Sequence, residues 1–129
     1  MQAIRRLCIF VAALLCGCSS VDGLYTPACM AYEGDEIELE DSRFTWRRFT
    51  DQRHIDENGE PVDAFPGFPK TGRYVYHDAQ LDLIPDDGQA MVSFYIQNES
   101  RSKYLLTTTE NAQFEHDRIM PECALRREK

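Results

Sequence analysis

The residues of this chain that could do metal chemistry are few and scattered. Its three histidines are His54, His77 and His116. No two of them stand four apart, and no His-Glu-x-x-His is present, so no helix face carries a ready-made ligand pair. A copper site would need the fold to gather two histidines with Met30, Met91 or Met120. Asp56-Glu57-Asn58-Gly59-Glu60-Pro61-Val62-Asp63 is acidic, but it lacks the alternating ligands and closing bidentate Glu of a calcium loop. Asn58-Gly59 suits a tight turn better. There is no Gly-x-Ser-x-Gly elbow and no phosphate loop. Carboxylates are plentiful, but a catalytic pair is a matter of spacing in the fold, not of number. The chain reads as non-enzymatic, with no cofactor and no metal.

The charge balance points the same way. Fourteen Lys and Arg face 22 Asp and Glu, a formal net charge of −8. A nucleic-acid binder needs a basic face to neutralise phosphates, so that class is excluded. Apolar residues make up 43 %, enough for a globular core and too many for a disordered chain. The length of 129 residues suits one domain.

The first 20 residues carry the most specific signal. Arg5 and Arg6 precede a nine-residue apolar stretch, Leu7 to Leu15, which is too short to span a bilayer. It ends in Leu15-Cys16-Gly17-Cys18. This arrangement resembles the lipobox of bacterial lipoproteins. The resemblance implies that residues 1–17 are a cleaved signal peptide and that Cys18 becomes a lipidated N-terminus. Ser19, rather than Asp, after the lipid-bearing Cys implies the outer membrane, with the domain facing the periplasm. Residues 18–24 then form a tether and 25–129 a single domain. Removal of Arg5 and Arg6 without any acid leaves the mature chain still more acidic, so the domain itself is repelled from anionic lipid.

Of the five cysteines, Cys8 and Cys16 leave with the signal and Cys18 carries the lipid. Cys29 and Cys123 remain. In an oxidising compartment an even remainder reads as a disulfide, here closing nearly the whole domain.

The elements that must position any site are strands. Ile37 and Leu39 alternate with Glu36, Glu38 and Glu40, the mark of a half-buried strand. Asp41-Ser42 turns the chain, and Phe44 and Trp46 continue the alternation, giving a hairpin. Further strands are expected over 73–76, 80–83, 91–97 and 103–107. Cys123-Ala124-Leu125 forms a closing strand, and Tyr25 or Tyr32 starts an eighth. Thr107 with Glu110 fits a capping box, so 108–116 is expected to be a short helix with Phe114 inward. The expected fold is mostly β: an antiparallel up-and-down meander forming a small barrel or half-barrel, with one short helix near the C-terminus.

The succession Phe44-Thr45-Trp46, Gly72-Arg73-Tyr74 and Leu81-Asp82-Leu83 resembles the lipocalin-like repeat of small envelope lipoproteins. That resemblance implies a barrel and, in it, a binder or sensor of a small apolar ligand. On this reading Trp46, Tyr74, Tyr76, Tyr95 and Tyr104 could line a ligand cup. A different use is suggested by the segment 51–71, which is long for a connection in a compact domain. It holds His54 and Asp56 and an apolar tip, Phe65-Pro66-Gly67-Phe68-Pro69. Phe65 and Phe68 could anchor a protein partner in the cell envelope, which is the leading expectation from the sequence. Insertion of the same tip into the cleft of a periplasmic or host hydrolase, as an inhibitor, is a third.

Overall fold

A computed structural model describes residues 20–29, 34–50 and 55–128. Cys18 and His54 therefore lie outside the described residues. The elements are β1 (Gly23–Pro27), β2 (Glu36–Glu40), β3 (Arg43–Arg47), β4 (Lys70–His77), β5 (Gln80–Pro85), β6 (Val92–Glu99), β7 (Ser102–Leu106), α1 (Thr108–Asp117) and β8 (Leu125–Arg127). Each strand pairs antiparallel with the next, and β8 returns to pair with β1, so the sheet closes into an eight-stranded barrel. Closure removes the unpaired edges that a half-barrel would leave. The strand containing Tyr25 supplies the eighth member. β4 extends three residues before Arg73, and β6 runs on to Glu99. Backbone pairing across the neighbouring strands continues past the point where the apolar alternation fades.

Period-two alternation sets the inside of the barrel. Tyr25, Ile37, Leu39, Phe44, Trp46, Leu81, Leu83, Phe94, Ile96 and Leu105 are buried in one cluster. Phe44 sits opposite Gly72 in the β3–β4 register. A side chain at Gly72 would place its Cβ 2.1 Å from the Ile84 carbonyl oxygen and 2.6 Å from Phe44 Cε1. Glycine is thus what lets the phenyl ring lie against the barrel wall.

A second, smaller cluster lies outside that wall. Tyr104 and Leu106 face away from Leu105 and are covered by Phe114 of α1 and by Ala124. The helix begins with the expected capping box: Thr107 Oγ1 accepts from Glu110 N, and Glu110 Oε1 accepts from Thr107 N. Gln97, on the outer face of β6, donates to Asn111 Oδ1 at 2.9 Å and to Glu115 Oε1 at 2.8 Å, fixing the helix along the wall.

The two ends of the barrel differ. At one end three hairpins turn through Asp41-Ser42, Asp78-Ala79 and Ser100-Arg101, each residue with positive φ between 49° and 68°. Paired positive φ values mark type I′ turns, whose twist matches that of the flanking strands. The chain entering β1 packs at this end. Val21 is buried, Tyr25 Oη donates to its carbonyl at 2.7 Å, and Arg127 Nη1 reaches the carbonyls of Ser20 and Asp22 at 3.2 Å. Asp22 accepts from Asp41 N and from the Tyr74 hydroxyl. Of the residues 18–24 expected to form a tether, Val21 and Asp22 are part of the fold, and Gly23 and Leu24 begin β1. The other end carries all the longer connections, 28–35, 48–69, 86–91 and 107–124. There Cys29 and Cys123 are joined with Cα atoms 4.6 Å apart.

Candidate functional site

A cavity of about 530 Å³ opens at the long-loop end. Its wall is apolar: Pro27, Ile37, Trp46, Val92, Phe94, Leu105 and Leu125. Its rim is polar, with Asp35, the hydroxyl run Thr107-Thr108-Thr109, and Glu110. The volume falls within the range that takes a small organic ligand. Cys123 and Ala124 complete one side, so the disulfide braces the mouth.

Trp46 is the most heavily constrained residue of this site. Its ring meets Phe94 edge-on, with centroids 5.7 Å apart and planes at 71°. Its Nε1 donates to Asp35 Oδ2 at 2.9 Å. The Arg48 guanidinium lies 5.0 Å from its ring centroid, while Arg48 Nε pairs with the same Asp35 oxygen at 3.1 Å. The other oxygen, Oδ1, accepts from Phe49 N at 2.9 Å. Both carboxylate oxygens of Asp35 are thus engaged. The group fixes the indole in place.

Only Trp46 of the five aromatics expected to form a cup reaches the cavity. Tyr74 points inward but toward the tight-turn end, where it bonds Asp22. Burial first, and then the Asp22 carboxylate, raise its hydroxyl pKa well above the ordinary phenol value. Tyr76 is exposed at the same end. Tyr95 alternates with the inward Phe94 and Ile96 and so faces outward. Tyr104 lies beneath α1. The cup is lined by aliphatic residues and phenylalanine instead. Tyr25 is fully buried; burial pushes its pKa up to about 12, with the Asp22 charge adding and Arg127 opposing.

Within the 48–69 connection, residues 55–61 fold back on themselves. Asp56 Oδ1 accepts from Asn58 N and Glu60 N at 2.9 and 2.8 Å, and Ile55 bridges to Pro61. Asp56 is thereby used within its own turn. Phe65 packs edge-on against Phe49, with centroids 6.1 Å apart. Of the two phenylalanines of the tip, Phe68 alone stands fully exposed. The structure therefore separates the two anchors expected together: Phe65 is turned onto its own loop, next to the bond from Thr50 N to Ala64 O at 3.0 Å that holds this part of the connection against the residues after β3.

Among the described residues, no three His, Cys, Asp or Glu side chains gather closely enough to hold a metal ion. His116 pairs with its neighbour Asp117, and His77 is exposed at the end of β4. One spacing that the search of the sequence for catalytic motifs missed, Ser100-x-x-Lys103, is present and occurs in some acyl-transfer enzymes. Here it falls on the β6–β7 hairpin. Ser100 sits in the left-handed turn, and Lys103 Nζ donates to Asn98 Oδ1 at 3.0 Å.

Comparison with protein-family models, curated proteins and solved structures returned no match to this chain.

Proposed function

We propose that the barrel binds a small, mainly apolar ligand in the long-loop cavity and acts without catalysis. The observation that carries this reading is the 530 Å³ space lined by Ile37, Val92, Phe94 and Leu105, with the single tryptophan of the chain held at its mouth. Eight strands are enough to enclose one small ligand. Asp35 and Glu110, the carboxylates at the rim, are both committed to structural hydrogen bonds, which supports binding over acid–base chemistry. The test is titration with N-phenyl-1-naphthylamine, an uncharged apolar fluorophore, read by its own emission and by quenching of Trp46. Saturable binding, abolished by the space-filling Val92→Trp in a variant with unchanged circular dichroism, is expected. Binding that survives the filling would place the probe elsewhere and defeat the reading.

The same proposal carries the lipid anchor at Cys18. Ser20 is tied to Arg127 at the tight-turn end, so a lipid on Cys18 would hold that end against the outer membrane. The cavity would open toward the periplasm, away from the bilayer. Incorporation of labelled palmitate, lost in Cys18→Ser, is the expected result; equal labelling of the variant would remove the anchor from the proposal.

One observation favours a second reading, that of a module docking an envelope protein or the cleft of a hydrolase. Phe68 is fully exposed on a tip shaped by Pro66, Gly67 with φ of +83° and Pro69. A lone aromatic anchor supplies less than a cluster would, which is why the cavity stands first. Crosslinking from intact envelope should capture a specific protein that Phe68→Ala loses. The same capture from wild type and variant would exclude the tip.

A further inference from the structure

We infer that the cavity selects by charge, taking an uncharged single-chain amphiphile and turning away its carboxylate-headed counterpart. This inference rests on the ligand-binding reading above.

The argument is a charge balance at the mouth. The ionisable groups lining the cavity are two acids, Asp35 and Glu110; no base lines it among the described residues. Asp35 is offset by Arg48, the nearest cation, whose Nε lies 3.1 Å away, so this pair contributes no net charge. Glu110 stands in the first turn of α1. The helix N-terminus, which by itself would attract an anion, carries roughly half a positive charge. The full negative charge of Glu110 already sits on it and outweighs it. The mouth is therefore net negative by about half a charge.

An entering carboxylate meets that field and must also shed water to reach an apolar wall whose lining offers no cation to receive it; the one cation beside the mouth, Arg48, is already paired with Asp35. An alcohol meets neither cost. Its hydroxyl can both donate and accept, as can the side chains of Thr108 and Thr109 on the rim, which are exposed. Its alkyl chain fits the aliphatic wall. Glu110 thus has two roles: it caps the helix through Thr107, and it sets the sign of the field at the opening.

These roles can be separated. Glutamine satisfies a capping box as glutamate does, so Glu110→Gln keeps the helix start and removes the charge. The experiment measures displacement of N-phenyl-1-naphthylamine from the full chain carrying Cys18→Ser, so that no covalent lipid competes. Decan-1-ol and decanoate are compared at pH 8, where the acid is ionised. Decan-1-ol is expected to bind at least tenfold more tightly in the otherwise wild-type chain. Glu110→Gln should narrow that ratio at least threefold, with unchanged circular dichroism. Equal or tighter binding of decanoate overturns the charge selection while leaving the cavity as a binding site. A ratio unmoved by Glu110→Gln overturns the assignment of the field to Glu110. If neither amphiphile displaces the fluorophore, the selection falls. If the fluorophore itself does not bind, the ligand-binding reading falls with it. The wild-type comparison needs no variant, so a misfolded Glu110→Gln would still leave the selection open to refutation.

Discussion

The Trp46 indole nitrogen donates to Asp35 Oδ2 at 2.9 Å, joining the end of β3 to the segment that leads into β2. Through Asp35 the same contact engages Arg48 and the backbone of Phe49. Replacing Asp35 with Ala leaves three donors without their acceptor. Since hydrogen bonds to a charged group contribute more than neutral ones, a loss of about 2 kcal/mol in folding stability is expected. Asp35→Asn, which keeps one acceptor, should cost roughly half as much. Urea denaturation followed through Trp46 measures both, and its emission should shift to the red in Asp35→Ala. An Ala variant as stable as wild type would show that Trp46 is held by packing on Phe94 alone.

At the second central position, where glycine is favoured, the three type I′ turns use Ser42, Ala79 and Arg101 instead. Ala79 and Arg101 have φ of 66° and 68°, where an L-residue costs about 1–2 kcal/mol relative to its right-handed conformation. Glycine removes that cost but adds chain entropy to the unfolded state. The balance should favour Ala79→Gly and Arg101→Gly by about 0.5 kcal/mol each. Ala79→Val should destabilise, since a β-branched residue tolerates this region least. Thermal melts of the three variants give the order; a Val variant that melts with the Gly variant would contradict the turn assignment.

Gly72 should tolerate no side chain. A Cβ there meets the Ile84 carbonyl oxygen, which as backbone has little freedom to move, and the Phe44 ring. Overpacking of this kind costs about 1–3 kcal/mol or more. Gly72→Ala combined with Phe44→Leu should recover only the part due to the ring. A double-mutant cycle on denaturation free energies separates the two contributions, and full recovery would mean that the Ile84 carbonyl gives way.

Alkaline pH should unfold the barrel from its tight-turn end. Tyr25 titrates at about 12 in the fold and near 10 when unfolded. A raised folded-state value means that its stabilising contribution is complete below about pH 10 and is lost as pH climbs through 12. Tyr74, raised by burial and by Asp22, acts in the same direction. Tyr25→Phe should lose about 1 kcal/mol at neutral pH, for the missing bond to the Val21 carbonyl. It should also flatten the decline above pH 10. A stability profile as steep as wild type in that window would remove Tyr25 as its source.

Acid should act on the outer wall. Ser93 and Gln80 donate to Asp82, and Arg43 with Thr71 to Asp86; each carboxyl is held below the usual carboxylate range. A lowered folded-state value means that the contribution is present above the unfolded value of about 3.9 and is lost as pH falls through the folded one. Ser93→Ala should therefore reduce the dependence of stability on pH below 4, and an unchanged slope in the variant would discount Asp82.

Most of the barrel was legible because alternation is a local signal. Ile37 and Leu39, Phe44 and Trp46, and Leu81 and Leu83 announce an inner face within a few residues, and Thr107 with Glu110 announces the helix start. The cavity was not legible in this way. Alternation groups Tyr74 with Tyr76 but does not say at which end of a barrel a residue will stand, and that depends on register summed around the sheet. Tyr104 misleads for another reason. Three consecutive residues of β7 are buried because α1 covers the outer face there, so an apolar run with no alternation hides which member points inward. The tie between Asp35 and Trp46 spans 11 residues and a turn, and no spacing rule anticipates it.

The seam between β1 and β8 joins Tyr25 to Arg127, residues from opposite ends of the domain. Hairpins such as β2–β3 can assemble at once from neighbouring chain, whereas the seam must wait until every intervening strand is laid down. Loop-closure entropy falls mainly on this last step, so the rate at which the barrel shuts is a property of its long-range pairing. The Cys29–Cys123 bond lies beside that seam and spans 94 residues. Once it forms, the two closing strands can no longer diffuse apart, and reopening the wall becomes a local event with rapid return. The timing of oxidation relative to collapse thus decides whether a newly made chain closes quickly or lingers with β1 and β8 as bare edges, open to pairing with another copy.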